Sequence, residues 1–184
     1  MADEHLTEVS FTNLHLPESL ARGVADAGFE RCTPIQAQTL PRALAGFDIA
    51  GQAQTGTGKT AAFLIALYSR LLRAEIPSTR KINSPLALII APTRELAVQI
   101  HHDAELLGQY TGLKLCLAFG GVDYEKQRRD LEDGVDILIG TPGRLIDFYK
   151  QQVFDLRSVQ VLVLDEADRM FDLGFITDIR YIMR

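Results

Sequence analysis

Four apolar runs, at residues 86–91, 113–119, 135–139 and 159–164, set the rhythm of the second half of the chain. Their hydrophobicity is continuous rather than alternating, which is how strands covered on both faces of a parallel sheet read. Between the first two runs, Leu96, Ile100, Ala104 and Leu107 recur at helical spacing. Strand, helix, strand repeated along the chain predicts an α/β domain, a mostly parallel sheet with helices on both faces.

The first half reads as helical. Leu16, Leu20, Val24 and Ala27 share one helical face, with Pro17 near the first turn and Gly28 closing it. Thr33 is a good N-cap and Pro34 suits a first helical position, so a second helix is expected from residue 34 to about 45. Leu64, Leu67 and Leu71 mark a third. Residues 1–12 lack apolar periodicity and are expected to fray, with 1–8 a flexible lead and the domain running over 9–184. Residues 74–85 are polar and are expected to form a surface loop.

Composition narrows the function. With 184 residues, 47% hydrophobic and 23% charged, the chain suits one globular domain with a substantial core. A net charge of −5 excludes gripping nucleic acid through a broad basic field, so any such contact needs a few placed groups. Cys32 and Cys116 form no C-x-x-C pair and read as reduced thiols. No signal peptide and no bilayer-length apolar run is present, so a cytoplasmic protein without membrane contact is expected. His101-His102 lacks an H-E-x-x-H pattern and reads as solvent-facing. Lys126, Arg128 and Arg129, interleaved with Glu125, Asp130, Glu132 and Asp133, read as a solvated helix face.

The richest chemistry lies at residues 48–63. A Gly-rich turn (Ala53, Gln54, Thr55, Gly56, Thr57, Gly58) opens into a helix at Lys59-Thr60. Backbone bare of side chains lets a row of N–H groups curl around an anion, and the helix points its positive end at the same place. Lys59 can reach terminal phosphates, and the Thr60 hydroxyl can hold magnesium. One departure stands out, since the general pattern G-x-x-x-x-G-K-[ST] has Gly where this chain has Ala53. The run at 159–164 leads straight into Asp165-Glu166-Ala167-Asp168. A carboxylate at the tip of a buried strand needs a partner, and a magnesium shared with Thr60 through water supplies one for Asp165. Glu166 is then suited to orient the water that attacks a γ-phosphoryl group. This pairing requires 53–60 and 165–168 to meet across neighbouring strand tips.

Two further strand exits, Pro92-Thr93-Arg94 and Thr141-Pro142-Gly143-Arg144, place a capping Thr and an Arg in the first turn of a helix. Cations are unfavourable there unless a phosphate is also bound. Singly, each reads as a capped turn with an ion-paired Arg. Together with Gly120-Gly121, the three read as a track for a single-stranded sugar–phosphate backbone, without base readout. Gln36 has two readings. Thr33-x-x-Gln36 fits a capping box, and spacing alone favours it; alternatively the amide reads an adenine edge, with Phe29 stacked on the base.

Over residues 9–184 the chain resembles the first RecA-like domain of a DEAD-box RNA helicase. The resemblance rests on Phe11 and 28–36, 53–60 with Ala53, 92–97, Gly120-Gly121, 141–144 and 165–168. The stretches 91–101 and 165–176 look most like a bacterial type that acts in the RNA degradosome. The resemblance implies a RecA-like P-loop NTPase fold and ATP with Mg2+ as cofactors. It also implies adenine recognition by Gln36 with Phe29 and Arg31, and RNA backbone contact by Pro92, Thr93, Arg94, Gly120, Gly121, Thr141, Pro142, Gly143 and Arg144. Lys59, Asp165 and Glu166 would carry catalysis, Thr60 and Asp165 the magnesium, and Asp168 the coupling of ATP state to RNA grip. The chain stops at Arg184, before a Ser-Ala-Thr motif and a second RecA-like domain that in the family supplies arginine fingers. Residues 1–184 alone are therefore expected to bind adenine nucleotide weakly and to neither hydrolyse ATP well nor unwind RNA. The endonuclease of the RNA degradosome is an expected partner, through the missing second domain. Competing readings are an RNA-binding scaffold with a vestigial P-loop and, less favoured, a P-loop kinase.

Overall fold

A computed structural model describes residues 6–54 and 56–183, which fall into two compact units. The first comprises residues up to 74 together with 103–112; the second comprises 75–102 and 113 onward.

In the first unit, α1 (Glu18–Asp26) buries Leu20 and Val24, as its spacing predicts. Gly28 closes the turn beyond it at φ +79°. α2 (Pro34–Leu44) starts with Pro34 after Thr33 and packs on α3 (Lys59–Arg73). α3 buries Leu64, Ile65, Leu67, Tyr68 and Leu71. The Tyr68 hydroxyl donates to the Ala104 carbonyl at 2.7 Å, giving a buried phenol its partner. A Cβ on Gly108 would lie 2.2 Å from that hydroxyl, so only glycine allows the close approach. The expected fraying of residues 1–12 is corrected for 7–12. The Thr7 N–H donates to the Cys32 carbonyl and the Cys32 N–H to Val9, both at 2.8 Å, while Phe11 is buried against Phe29. A short ladder and one aromatic anchor hold a segment that has no periodicity of its own. No strand forms in residues 47–54, ahead of the Gly-rich turn.

The second unit is a four-stranded sheet of β1 (Ala87–Ile90), β2 (Leu115–Ala118), β3 (Ile137–Gly140) and β4 (Val161–Leu164). Its order is β2-β3-β1-β4 and every pairing is parallel. The four predicted runs are the four strands. β1 and β3, in the middle, are buried throughout; β4, at the end, is half-exposed along its length. The connecting helices are α4 (Arg94–Gly108), α5 (Tyr124–Glu132) and α6 (Pro142–Lys150). α7 (Ala167–Asp172) and α8 (Ile176–Ile182) follow β4. Leu88, Ile90, Cys116, Ala118 and Leu138 turn one sheet face toward Leu131 of α5, Leu145 and Phe148 of α6, and Ile179 and Ile182 of α8. Right-handed crossovers put the start of α4, which runs from β1 toward β2, on the opposite face.

The loop at 74–85 is more than surface. Arg80 pairs with Asp136 at 2.8 Å with both side chains largely buried, and its guanidinium also donates to the Ser84 and Val135 carbonyls. Asn83 donates to the Val153 carbonyl at 2.8 Å. These bonds fasten a polar sequence to the amino-terminal side of the sheet. Among the described residues, no helix is long and apolar enough to cross a membrane.

Candidate functional site

Two clusters carry the predicted chemistry, one in each unit. In the first, α3 begins at Gly58 in the left-handed region (φ +88°), and no side chain caps it. Gly56, also left-handed at φ +80°, completes the turn, and the Thr57 hydroxyl closes it by donating to the Gln54 carbonyl at 2.7 Å. Lys59 and Thr60 are the first two helical residues. Among the described residues no side chain takes up the first N–H groups of this 15-residue helix, at the end where the helix dipole favours an anion. This donor set fits a phosphate chain. Ala53 lies half-buried at the start of the turn and Gln54 is exposed; Thr55 lies outside the described residues.

Gln36 is tied into this turn. Its Oε1 accepts from the Thr33 N–H at 2.9 Å, the cap that its spacing predicts, and its Nε2 donates to the Gly58 carbonyl at 3.1 Å. The Thr33 hydroxyl donates to the Thr57 carbonyl at 2.8 Å. Both ends of a fully buried amide are therefore engaged, and the start of α2 braces the start of α3. Phe29 stands edge-on to Phe11, ring centroids 5.7 Å apart. Arg31 is exposed and meets Glu8 only at 3.9 Å, a contact of little energetic weight.

The second cluster is the carboxyl edge of the sheet. Because all four strands are parallel, Gly120-Gly121, Thr141–Arg144, Pro92–Arg94 and Asp165–Asp168 follow their strands at one edge, in that spatial order. Thr93 caps α4 as predicted, its hydroxyl accepting from the Leu96 N–H at 3.3 Å. Thr141 differs: it sits at the N-cap of α6 but makes no side-chain cap bond, which leaves its hydroxyl for another partner. Pro92 and Pro142 are buried, while Arg94, Gly120, Gly121 and Gly143 are exposed. Gly121 takes φ +83°, and the Arg94 guanidinium lies close to it.

Neither Arg94 nor Arg144 has a carboxylate partner among the described residues. The ion-paired arginine that each turn suggests singly is absent. Aromatic rings carry them instead: Arg94 lies 5.1 Å from the Phe119 centroid, and Arg144 lies 4.8 and 5.2 Å from Tyr124 and Phe148. Two unneutralised guanidinium groups beside an uncapped helix end and a bare Gly-Gly turn suit a polyanion.

At the end of β4, Asp165 is buried and its Oδ1 accepts from the Glu166 N–H at 3.0 Å. Glu166 adopts the left-handed region (φ +50°), a conformation that costs a non-glycine residue about 1 kcal/mol and re-aims its side chain. Its carboxylate meets Arg169 at 3.3 Å, and Asp168 is exposed in the first turn of α7. No three His, Cys, Asp or Glu side chains converge on a cation-sized space among the described residues. Thr60 and Asp165 supply oxygen donors of the kind a hydrated magnesium accepts. His101 is half-buried and His102 exposed. Burial raises both thiols, Cys116 to about 11, which keeps them protonated and unreactive.

One residue that sequence reasoning passed over belongs here. Gln127, which lies among the charged residues read as a solvated helix face but was not itself singled out, is buried and bonds to Phe119 and Arg144. The signal was its place between Tyr124 and Leu131 on the inward stripe of α5, where a polar residue needs a buried partner.

The DEAD/DEAH box helicase family matches residues 33–184. The whole chain is 60% identical over 184 residues to a protein named ATP-dependent RNA helicase RhlB from Aliivibrio salmonicida (strain LFI1238), and covers 42% of it. It is 58% identical over 185 residues to a protein of the same name from Xanthomonas oryzae pv. oryzae (strain KACC10331 / KXO85), and covers 32% of that one. The chain thus spans less than half the length of these curated relatives.

Proposed function

The chain belongs to the DEAD/DEAH box helicase family, and from that premise we propose that it is the ATP-binding half of an ATP-dependent RNA helicase. Its role is to couple nucleotide binding and hydrolysis to clamping of one RNA strand and local opening of short duplexes. The bare start of α3 holds the phosphates, with Lys59 on the terminal ones and Gly56, Thr57 and Gly58 wrapping the chain. Phe29 and Arg31 are assigned to the base, and Gln36, while bracing the phosphate turn, keeps a second amide hydrogen and a second Oε1 lone pair for an adenine edge, which favours ATP over GTP. Thr60 in the first unit and Asp165 in the second are the oxygen donors assigned to Mg2+, largely through water. The ion neutralises developing charge on the phosphates when bound. Glu166 orients and polarises the attacking water, and Asp168 relays nucleotide state to the RNA track.

The observation that carries this reading is the shared carboxyl edge, where the acidic tetrad lies in line with a Gly-Gly turn and two arginines that have no carboxylate partner among the described residues. Placed groups of this kind let an acidic protein hold a sugar–phosphate backbone without reading its sequence. From the family resemblance of its sequence we further propose a cytoplasmic role in RNA decay, with the degradosome endonuclease as a partner. Glu166→Gln in the full-length protein tests the reading. RNA-stimulated ATP hydrolysis should fall by about 10²–10⁴-fold with ATP and RNA binding retained; unchanged hydrolysis would indicate a scaffold and overturn it.

A further inference from the structure

The three RNA-facing strand exits converge on one buried amide. Gln127 Oε1 accepts from the Phe119 N–H at 3.1 Å and from Arg144 Nη1 at 3.0 Å, and Gln127 Nε2 donates to the Phe119 carbonyl at 3.1 Å. Phe119 is the residue between β2 and Gly120-Gly121, and its ring is the surface on which Arg94 lies. Arg144 is in the first turn of α6, its face on Tyr124 and Phe148, which pack together at 4.9 Å.

Residue type decides what can do this. Phe119 lies past the end of β2, and Gln127 satisfies both its N–H and its carbonyl in a buried setting. A carboxylate of the same reach would repel the carbonyl, a cation would repel the N–H, and an aliphatic chain would leave both unpaired. The second lone pair of Oε1 is what remains for Arg144, whose other donors stay free for a phosphate.

We propose that Gln127 is a positioning residue that sets Arg144, Gly120-Gly121 and the Phe119 seat of Arg94 in register for a single RNA backbone. The proposal rests on the RNA-track reading above. Gln127 touches no phosphate itself; it acts through the groups that do.

The test is a double-mutant cycle on the full-length protein, reading affinity for single-stranded RNA against salt with a non-hydrolysable ATP analogue. Arg144→Ala should weaken binding about tenfold and lower the slope of log affinity on log salt by about 0.7, the loss of one phosphate contact on a single strand. Gln127→Leu should give a comparable loss with the same drop in slope. The double variant should lose clearly less than the product of the two. Gln127→Met, of similar length and apolar, guards against misfolding, since both variants must retain ATP affinity. If Arg144→Ala weakens binding but Gln127→Leu and Gln127→Met keep the wild-type slope, or the losses multiply, Gln127 is merely structural and this inference falls while the track stands. If Arg144→Ala has no effect, the track itself falls and the inference with it.

Discussion

Adding one methyl group at Gly58 tests how tightly the phosphate turn is bound to Gln36. At φ +88° an L-residue pays about 1 kcal/mol or more in backbone strain. Its Cβ would also lie 2.5 Å from Gln36 Nε2 and 3.2 Å from both Gln36 Cδ and Thr33 Oγ1. Gln36 has no room to yield, being fully buried and held at both ends. Relieving the clash costs its two hydrogen bonds, each worth about 1 kcal/mol. Gly58→Ala should therefore destabilise this region by about 3 kcal/mol. Gly56 supplies the control, because its φ is +80° but a Cβ there meets nothing within 4 Å, so Gly56→Ala should cost only the strain of about 1 kcal/mol. In a Gln36→Ala background the cost of Gly58→Ala should fall toward that of Gly56→Ala. Native-state hydrogen exchange of α3 amides in the full-length protein reads these local opening energies. Equal costs for the two alanines, or no relief from removing the Gln36 amide, would refute the reasoning.

Tyr68→Phe removes a second bond to the Ala104 carbonyl, which keeps its helical partner within α4, so urea unfolding should show a loss of about 1 kcal/mol. The Asp155 carboxyl is held down to about 2, chiefly by the Arg157 guanidinium at 2.9 Å. A pKa depressed by folding gives stability that is present above the ordinary carboxylate pKa of about 3.9 and is lost as pH falls from there through 2. Arg157→Ala should raise that pKa in an NMR titration; an unmoved value would show that Arg157 is not the cause.

The strands were legible because burial on both faces forces continuous apolar runs, and a run such as 86–91 has no other reading in so polar a context. The helices of the first unit were legible through Thr33, Pro34 and the leucines of α3. Strand order was not, because periodicity records what a strand is buried in and not which neighbour it pairs with. The arginines 94 and 144 stood out only because cations oppose a helix start, and the finding that aromatic rings rather than carboxylates support them came from packing. Gln36 could be read as a cap, but its bond to Gly58, 22 residues on, leaves no local trace. Gln127 and Arg80 escaped for the same reason: each looks like solvated surface until the strand end or loop it fastens is in place.

β4 has consequences beyond its length. It holds the acidic tetrad at its tip, yet among the described residues it is hydrogen-bonded to β1 alone, and Leu162 on it is 38% exposed. Asp165 and Glu166 thus sit at the end of a strand that is laddered on one side among the described residues. What steadies those carboxylates is therefore the parallel ladder with β1, from Ala87–Val161 to Ile90–Leu164, and a change that loosens β1 is felt first at Asp165 and Glu166.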